Sequence, residues 1–251
     1  AASGVALANA RRSLLKLEDE RYHPKNWRPI ILAVSARPWS RTNLAQYAYW
    51  MAAGRGILSL GQVIRGDIAE MLPRRANAER ILRKYIAEEE LEAFPVAVVG
   101  ESLESGLQTL LQAHGLGGIR PNTLLIGFHE AMERPGEFLE TLRLAGRFGK
   151  NAVCVRQNVD AARWSVPGGA ILILWPGLPQ GGFLLLLAYL LRLNRDWRNH
   201  PLRVAYPVHE KVDQENALSR MTALLDEARI DAEVRFVEGP PDFQAAPELF
   251  Q

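Results

Sequence analysis

Side chains able to do acid–base, nucleophilic or metal chemistry are few in this sequence, and they are scattered. The five histidines (His23, His114, His129, His200 and His209) include no HExxH pair, and none has a cysteine beside it. His129-Glu130 is an adjacent acid–base couple, and on a loop after a strand it reads as a solvated pair. There is no G-x-S-x-G nucleophile elbow and no Walker A run. Ser35-Ala36-Arg37-Pro38-Trp39 stands where a dinucleotide fold would carry G-x-G-x-x-G. The single cysteine, Cys154, excludes an internal disulfide and any multi-cysteine metal site. Flanked by Ala152, Val153 and Val155, it reads as a small core residue. No catalytic residue and no metal ligand is assigned.

What remains is electrostatic. Arg37 and Arg41 follow an apolar run at 30–35, and Arg65, Arg74 and Arg75 follow another at 57–64. In a sheet wound with helices, ligands sit at the carboxyl ends of the strands, where helix N-termini point. The candidate edge is then Ser35, Arg37, Arg65, Gly66, Arg74, Gly100, Glu101 and Gly127. Its ligand class is an anion, with ATP or ADP first and an anionic membrane surface second. A helix expected from Pro73 to about residue 92 carries Arg74, Arg75 and Arg80 near its positive end and Glu88, Glu89, Glu90 and Glu92 at its negative end. The macrodipole prefers the reverse by roughly 0.3–1 kcal/mol per charge. A bound anion would compensate; plain screening by salt is the other reading.

The elements that must position these residues follow from apolar runs and punctuation. The stretch Gly118-Ile119-Arg120-Pro121-Asn122-Thr123-Leu124-Leu125-Ile126-Gly127-Phe128 predicts a central buried strand. Pro121 fixes one end and Gly127 allows an abrupt exit at the other. Fully apolar runs also predict strands at 30–35, 95–100 and 151–155, with a loosely alternating one at 57–64. Helices are expected at 5–21, 40–53, 73–92, 105–114 and 135–148. Strands alternating with helices at this spacing predict an α/β fold, a doubly wound, mostly parallel sheet in the order 3-2-1-4-5. A second part predicts strands at 170–174, 202–208 and 232–237 around helices at 182–193 and 213–229. The expected divisions are a linker helix over 1–28, a first half over 29–158 and a smaller half over 159–251. The prolines at 24 and 29 end the first helix, which reads as a strap rather than a lever.

The 251 residues, 48% hydrophobic and 23% charged, describe an ordinary globular protein. A formal net charge of +2 gives no bulk argument for nucleic acid. No basic segment followed by an apolar one opens the chain, so no signal peptide is expected. The most apolar stretch, 183–193, falls short of the roughly 20 residues a membrane span needs. That helix is apolar all round, which predicts burial on every side or an interface.

Three stretches resemble the cytosolic C-terminal domain of the cation-chloride cotransporters, within the amino acid permease-like transporters. They are Pro121-Asn122-Thr123 with the strand ending in Gly127-Phe128, Asn26-Trp27-Arg28-Pro29 entering the first strand, and Gly181-Gly182-Phe183 through Arg192 with Trp197-Arg198 and Leu202-Arg203-Val204. The family usually carries an acidic pair before the two glycines; Pro179 and Gln180 stand there instead. Without the long Ser/Thr-rich inserts of animal members, the chain resembles a prokaryotic one. The resemblance implies two related halves similar to universal stress proteins, homodimerisation, and attachment to a transmembrane domain that carries the ions. It further implies a position on the cytoplasmic side of the plasma membrane and a regulatory, non-catalytic role. The alternative is a stress-protein-like nucleotide sensor, although the Gly-rich phosphate turn of that family is absent after 123–127.

Overall fold

The computed structural model describes residues 2–19, 27–35, 39, 43–128, 135–156, 164–166, 168–177, 179–208 and 213–238. The chain forms two compact units, residues 1–164 and 165–251.

In the first unit a five-stranded sheet has the order β3-β2-β1-β4-β5, as expected. Its strands are β1 (Ile30–Val34), β2 (Ile57–Arg65), β3 (Ala93–Gly100), β4 (Thr123–Gly127) and β5 (Asn151–Val155), all pairing in parallel. Helix α1 (Ala2–Asp19) precedes them, and α2 (Leu44–Ala52), α3 (Ile68–Glu88), α4 (Leu103–Ala113) and α5 (Pro135–Arg147) connect them. Alternation along the central strands divides the core. Leu32, Val34, Leu124 and Ile126 pack with Leu107, Leu110, Leu111 and Leu144 of α4 and α5. The intervening Ile31, Ala33 and Leu125 are equally buried, as β1 and β4 must be when both faces are covered.

Two of the stretches that carry the resemblance meet at the amino end of this sheet. Asn122 Nδ2 donates to the Arg28 carbonyl at 2.6 Å, while its Oδ1 accepts from Ile30 N at 3.0 Å and from Thr123 Oγ1 at 3.0 Å. Its backbone continues the ladder, with Asn122 N donating to Ile30 O and Asn151 N to Asn122 O, both at 2.9 Å. One side chain thus joins the entries of β1 and β4. The Pro29 carbonyl accepts from Ile57 N at 2.9 Å. Gly56 must be glycine there, because a Cβ would overlap that carbonyl.

After β5 the chain returns to the α2 side. Trp164 N donates to the buried Gln46 Oε1 at 2.8 Å, and Trp164 Nε1 to Glu89 Oε2 at 2.7 Å. Its ring meets Tyr49 and Trp50 edge-on at 5.8 and 6.2 Å. Trp164 holds a positive φ of 61°, a conformation stabilised by these four contacts.

Helix α3 differs from expectation in a way that matters for the edge. It starts at Ile68, with Pro73 inside it, because the Asp67 carboxylate caps it by accepting from Ala69 N at 2.8 Å and Glu70 N at 3.4 Å. It ends at Glu88, so Glu89, Glu90 and Glu92 lie beyond the helix. The reversed charge pattern therefore disappears at the start: Asp67 and Glu70 occupy the positive end, and Arg74 and Arg75 lie in the second turn. Arg75 instead donates from Nε to the Ala97 carbonyl of β3 at 2.8 Å, covering a group on an edge strand.

The second unit is a three-stranded parallel sheet, β6-β7-β8, formed by Ile171–Leu174, Leu202–Val208 and Glu233–Glu238. Helices α6 (Gln180–Arg192) and α7 (Asp213–Ala228) join its strands. Ile173, Trp175, Leu185, Ala188, Val204, Met221 and Leu225 form its core. Gly181 at the start of α6 is a packing residue: a Cβ there would lie 2.5 Å from the Trp175 ring. Leu185, Leu187, Ala188 and Leu190 of α6 are buried, whereas Phe183, Leu184, Leu186 and Leu191 are partly covered and Tyr189 is exposed. On β8, Glu233 takes hydrogen bonds from Arg235 and Arg203, and Arg235 above all holds its carboxyl below the ordinary value.

Candidate functional site

The carboxyl edge of the first sheet is staggered. Val34 pairs with Gly61 and Ile126, so Ser35 and Gly127 sit side by side at the centre. Arg65 pairs with Gly100 four residues further along β2, about 13 Å out. The candidate residues therefore fall into two groups, Ser35 with Gly127 and Arg65–Gly66 with Gly100–Glu101. Arg37, Arg41 and the His129-Glu130 pair lie outside the described residues.

In the outer group Arg65 and the donors at the two helix starts already have partners. Arg65 Nη2 lies 2.6 Å from Glu137 Oε2, an acid in the first turn of α5. Arg74 leans on its own helix, with Nη1 3.8 Å from Met71 Sδ. The N-terminus of α3 is capped by Asp67, and that of α4 by a capping box in which Ser102 Oγ accepts from Ser105 N at 3.1 Å and Ser105 Oγ from Ser102 N at 3.0 Å. Gly66 has φ 139°, which calls for glycine, and its N–H donates to Gly100 O at 3.1 Å. Gly100 is held by packing, since a Cβ would lie 2.6 Å from Gly106 N of α4. Gly127 differs: among the described residues, its chain neighbours aside, no atom lies within 4 Å of where its Cβ would be. Ser35 is buried, and Glu101 is exposed.

Titratable groups add one polar contact inside the sheet. His114, at the end of α4, places Nε2 2.8 Å from Oγ of the buried Ser59, and burial lowers its pKa below the ordinary 6.5. Cys154 is exposed rather than a core residue, because β5 is an edge strand whose alternate side chains face outward; partial burial still raises its thiol above the ordinary value, which disfavours the thiolate. Among the described residues no group of three or more His, Cys, Asp and Glu side chains is placed to hold a metal ion, and no helix is long and apolar enough to cross a membrane.

The arrangement of these strands and helices has known counterparts. Residues 41–136 match the family model described as Solute carrier family 12. Potassium/chloride cotransporter 3 of Caenorhabditis elegans is 29% identical across 94% of this chain, which spans 23% of that relative's length. The crystal structure of the cytoplasmic domain of a prokaryotic cation chloride cotransporter superimposes with a TM-score of 0.62 at 17% identity, covering 86% of this chain and 80% of the other. The chain is similar to the cytoplasmic part of a cation-chloride cotransporter. The three stretches read from sequence as carrying that similarity do structural work in this cotransporter-like fold. Asn122 and Pro29 secure the amino end of the first sheet, and Gly181 seats Trp175.

Several residues that shape the edge have weaker signatures in sequence. Asp67 had a readable signal, an Asp followed three residues later by Glu70. Glu137, 72 residues from Arg65, and Glu89, 75 residues from Trp164, had none.

Proposed function

We propose that this chain is the cytoplasmic regulatory and assembly domain of a cation-chloride cotransporter, non-catalytic in itself and joined to a transmembrane domain that moves the ions. The observation that carries this reading is the likeness of a two-unit α/β chain, over 86% of its length, to the cytoplasmic domain of such a protein. Homodimerisation belongs to the same proposal, supported by the apolar, partly covered flank of α6. The test is chloride-dependent rubidium uptake by vesicles holding the whole protein, with and without these residues. Uptake that requires chloride and changes rate when the domain is removed supports the proposal. Uptake indifferent to chloride, or unchanged without the domain, refutes it.

Nucleotide at the carboxyl edge is the weaker reading. Arg65 is neutralised by Glu137, and the nearby N-termini of α3 and α4 are capped by their own side chains. It is supported chiefly by the open backbone at Gly127 beside Ser35. Calorimetry with ATP decides it, since a site there must lose its heat on Gly127→Val. Binding that survives this change would lie elsewhere.

A further inference from the structure

At the amino end of the second unit's sheet is a cleft of about 250 Å³, where the last turn of α6, the turn before β7 and the turn before β8 meet. Arg192, Arg198 and Arg229 line it, one from each of these three segments, together with Asp231, Tyr189 and Ile230. Three guanidiniums stand against one carboxylate here, and a second, Asp226, lines the adjoining cleft that shares Arg229, Ile230 and Asp231, so the lining stays net positive. Arg192 Nη1 donates to the Asp231 carbonyl at 2.9 Å. No ion pair joins any of the three arginines to a described carboxylate.

The simplest role for arginines here would be to satisfy the carbonyls at the C-termini of α6 and α7. Several of those carbonyls are already occupied. Asn194 Nδ2 donates to Leu190 O at 3.1 Å and Leu191 O at 2.9 Å, and Leu193 N to Tyr189 O at 3.2 Å. At the end of α7, Ile230 N donates to Leu225 O at 2.9 Å and Arg229 N to Asp226 O at 3.1 Å. Arg229 also sits at φ 55°, in the left-handed position where helices ordinarily place glycine. Arginine thus stands where the backbone favours glycine.

We propose that this cleft binds a phosphate monoester dianion. Guanidinium forks fit tetrahedral oxygens, and three of them on a net positive lining suit a phosphate dianion better than a single chloride or carboxylate. Tyr189 and Ile230 give the ester's organic group an apolar wall. Two sources carry this chemistry, a soluble phosphate ester and the headgroup of a phosphoinositide.

The test uses the full chain with glycerol 3-phosphate in solution and with phosphatidylcholine vesicles lacking or containing phosphatidylinositol 4-phosphate. Arg198→Gln and Arg229→Gly are the variants, and the second suits its backbone, so folding is retained. Each should weaken binding about tenfold or more, the worth of one charged hydrogen bond. Loss with the soluble ester identifies a soluble ligand, and loss with phosphoinositide vesicles alone identifies a headgroup. Either outcome supports the site. Absence of binding to both probes, unchanged affinity in both variants, or equal competition by chloride at matched ionic strength overturns it.

Discussion

Replacing Asn122 by alanine tests whether one side chain holds two strand entries together. The change removes three hydrogen bonds, to Ile30 N, Thr123 Oγ1 and the Arg28 carbonyl. Arg28 is exposed, so water replaces the lost donor at little cost. The Ile30 amide is half-buried and Thr123 buried, and an unsatisfied buried donor costs about 1–3 kcal/mol. A loss of about 2–4 kcal/mol is expected. Hydrogen exchange followed by mass spectrometry is the suitable assay, because a chain of two units need not unfold in one step. Peptides spanning 30–34 and 123–127 should lose protection by roughly 30-fold or more, while 202–208 in the second unit stays unchanged. A loss of less than fivefold at 30–34 would refute the clamp.

Two further outcomes follow from the geometry. Gly100→Ala should destabilise the first unit by about 1–3 kcal/mol through overlap with the α4 backbone, seen as a lower urea midpoint with unchanged slope; a neutral effect would mean that α4 can move. The pKa of His114 is lowered in the folded state, so the unfolded state binds its proton first as pH falls. Its contribution is complete above about 6.5 and declines below that value towards the folded pKa, and His114→Gln should flatten stability over this acid range.

The strands of the first sheet were legible because a parallel sheet covered on both faces demands continuous apolar runs, and Leu124-Leu125-Ile126 and Ile31-Leu32-Ala33-Val34 are such runs. Right-handed crossovers then leave few strand orders. The start of α3 was misread because Pro73 fits a first turn, while the Asp67 cap six residues earlier decides it. The candidate edge was legible only as a place. Whether Arg65 is free depends on Glu137, and whether Gly100 serves a ligand or a helix depends on Gly106, both facts of tertiary contact. Asn122 read as strand punctuation because its partners Arg28 and Ile30 lie more than 90 residues away.

The return of Trp164 onto α2 determines where this gene can be cut. A fragment ending at 158, the boundary suggested by strand spacing, would lack the indole that lies against Tyr49 and Trp50 and the amide that reaches Gln46. Its exposed aromatic faces would favour clumping during expression. Six more residues supply the ring that closes the surface, so a recombinant first unit should end no earlier than Trp164. Substitutions at Gln46 or Glu89 would erode the same seam from the other side.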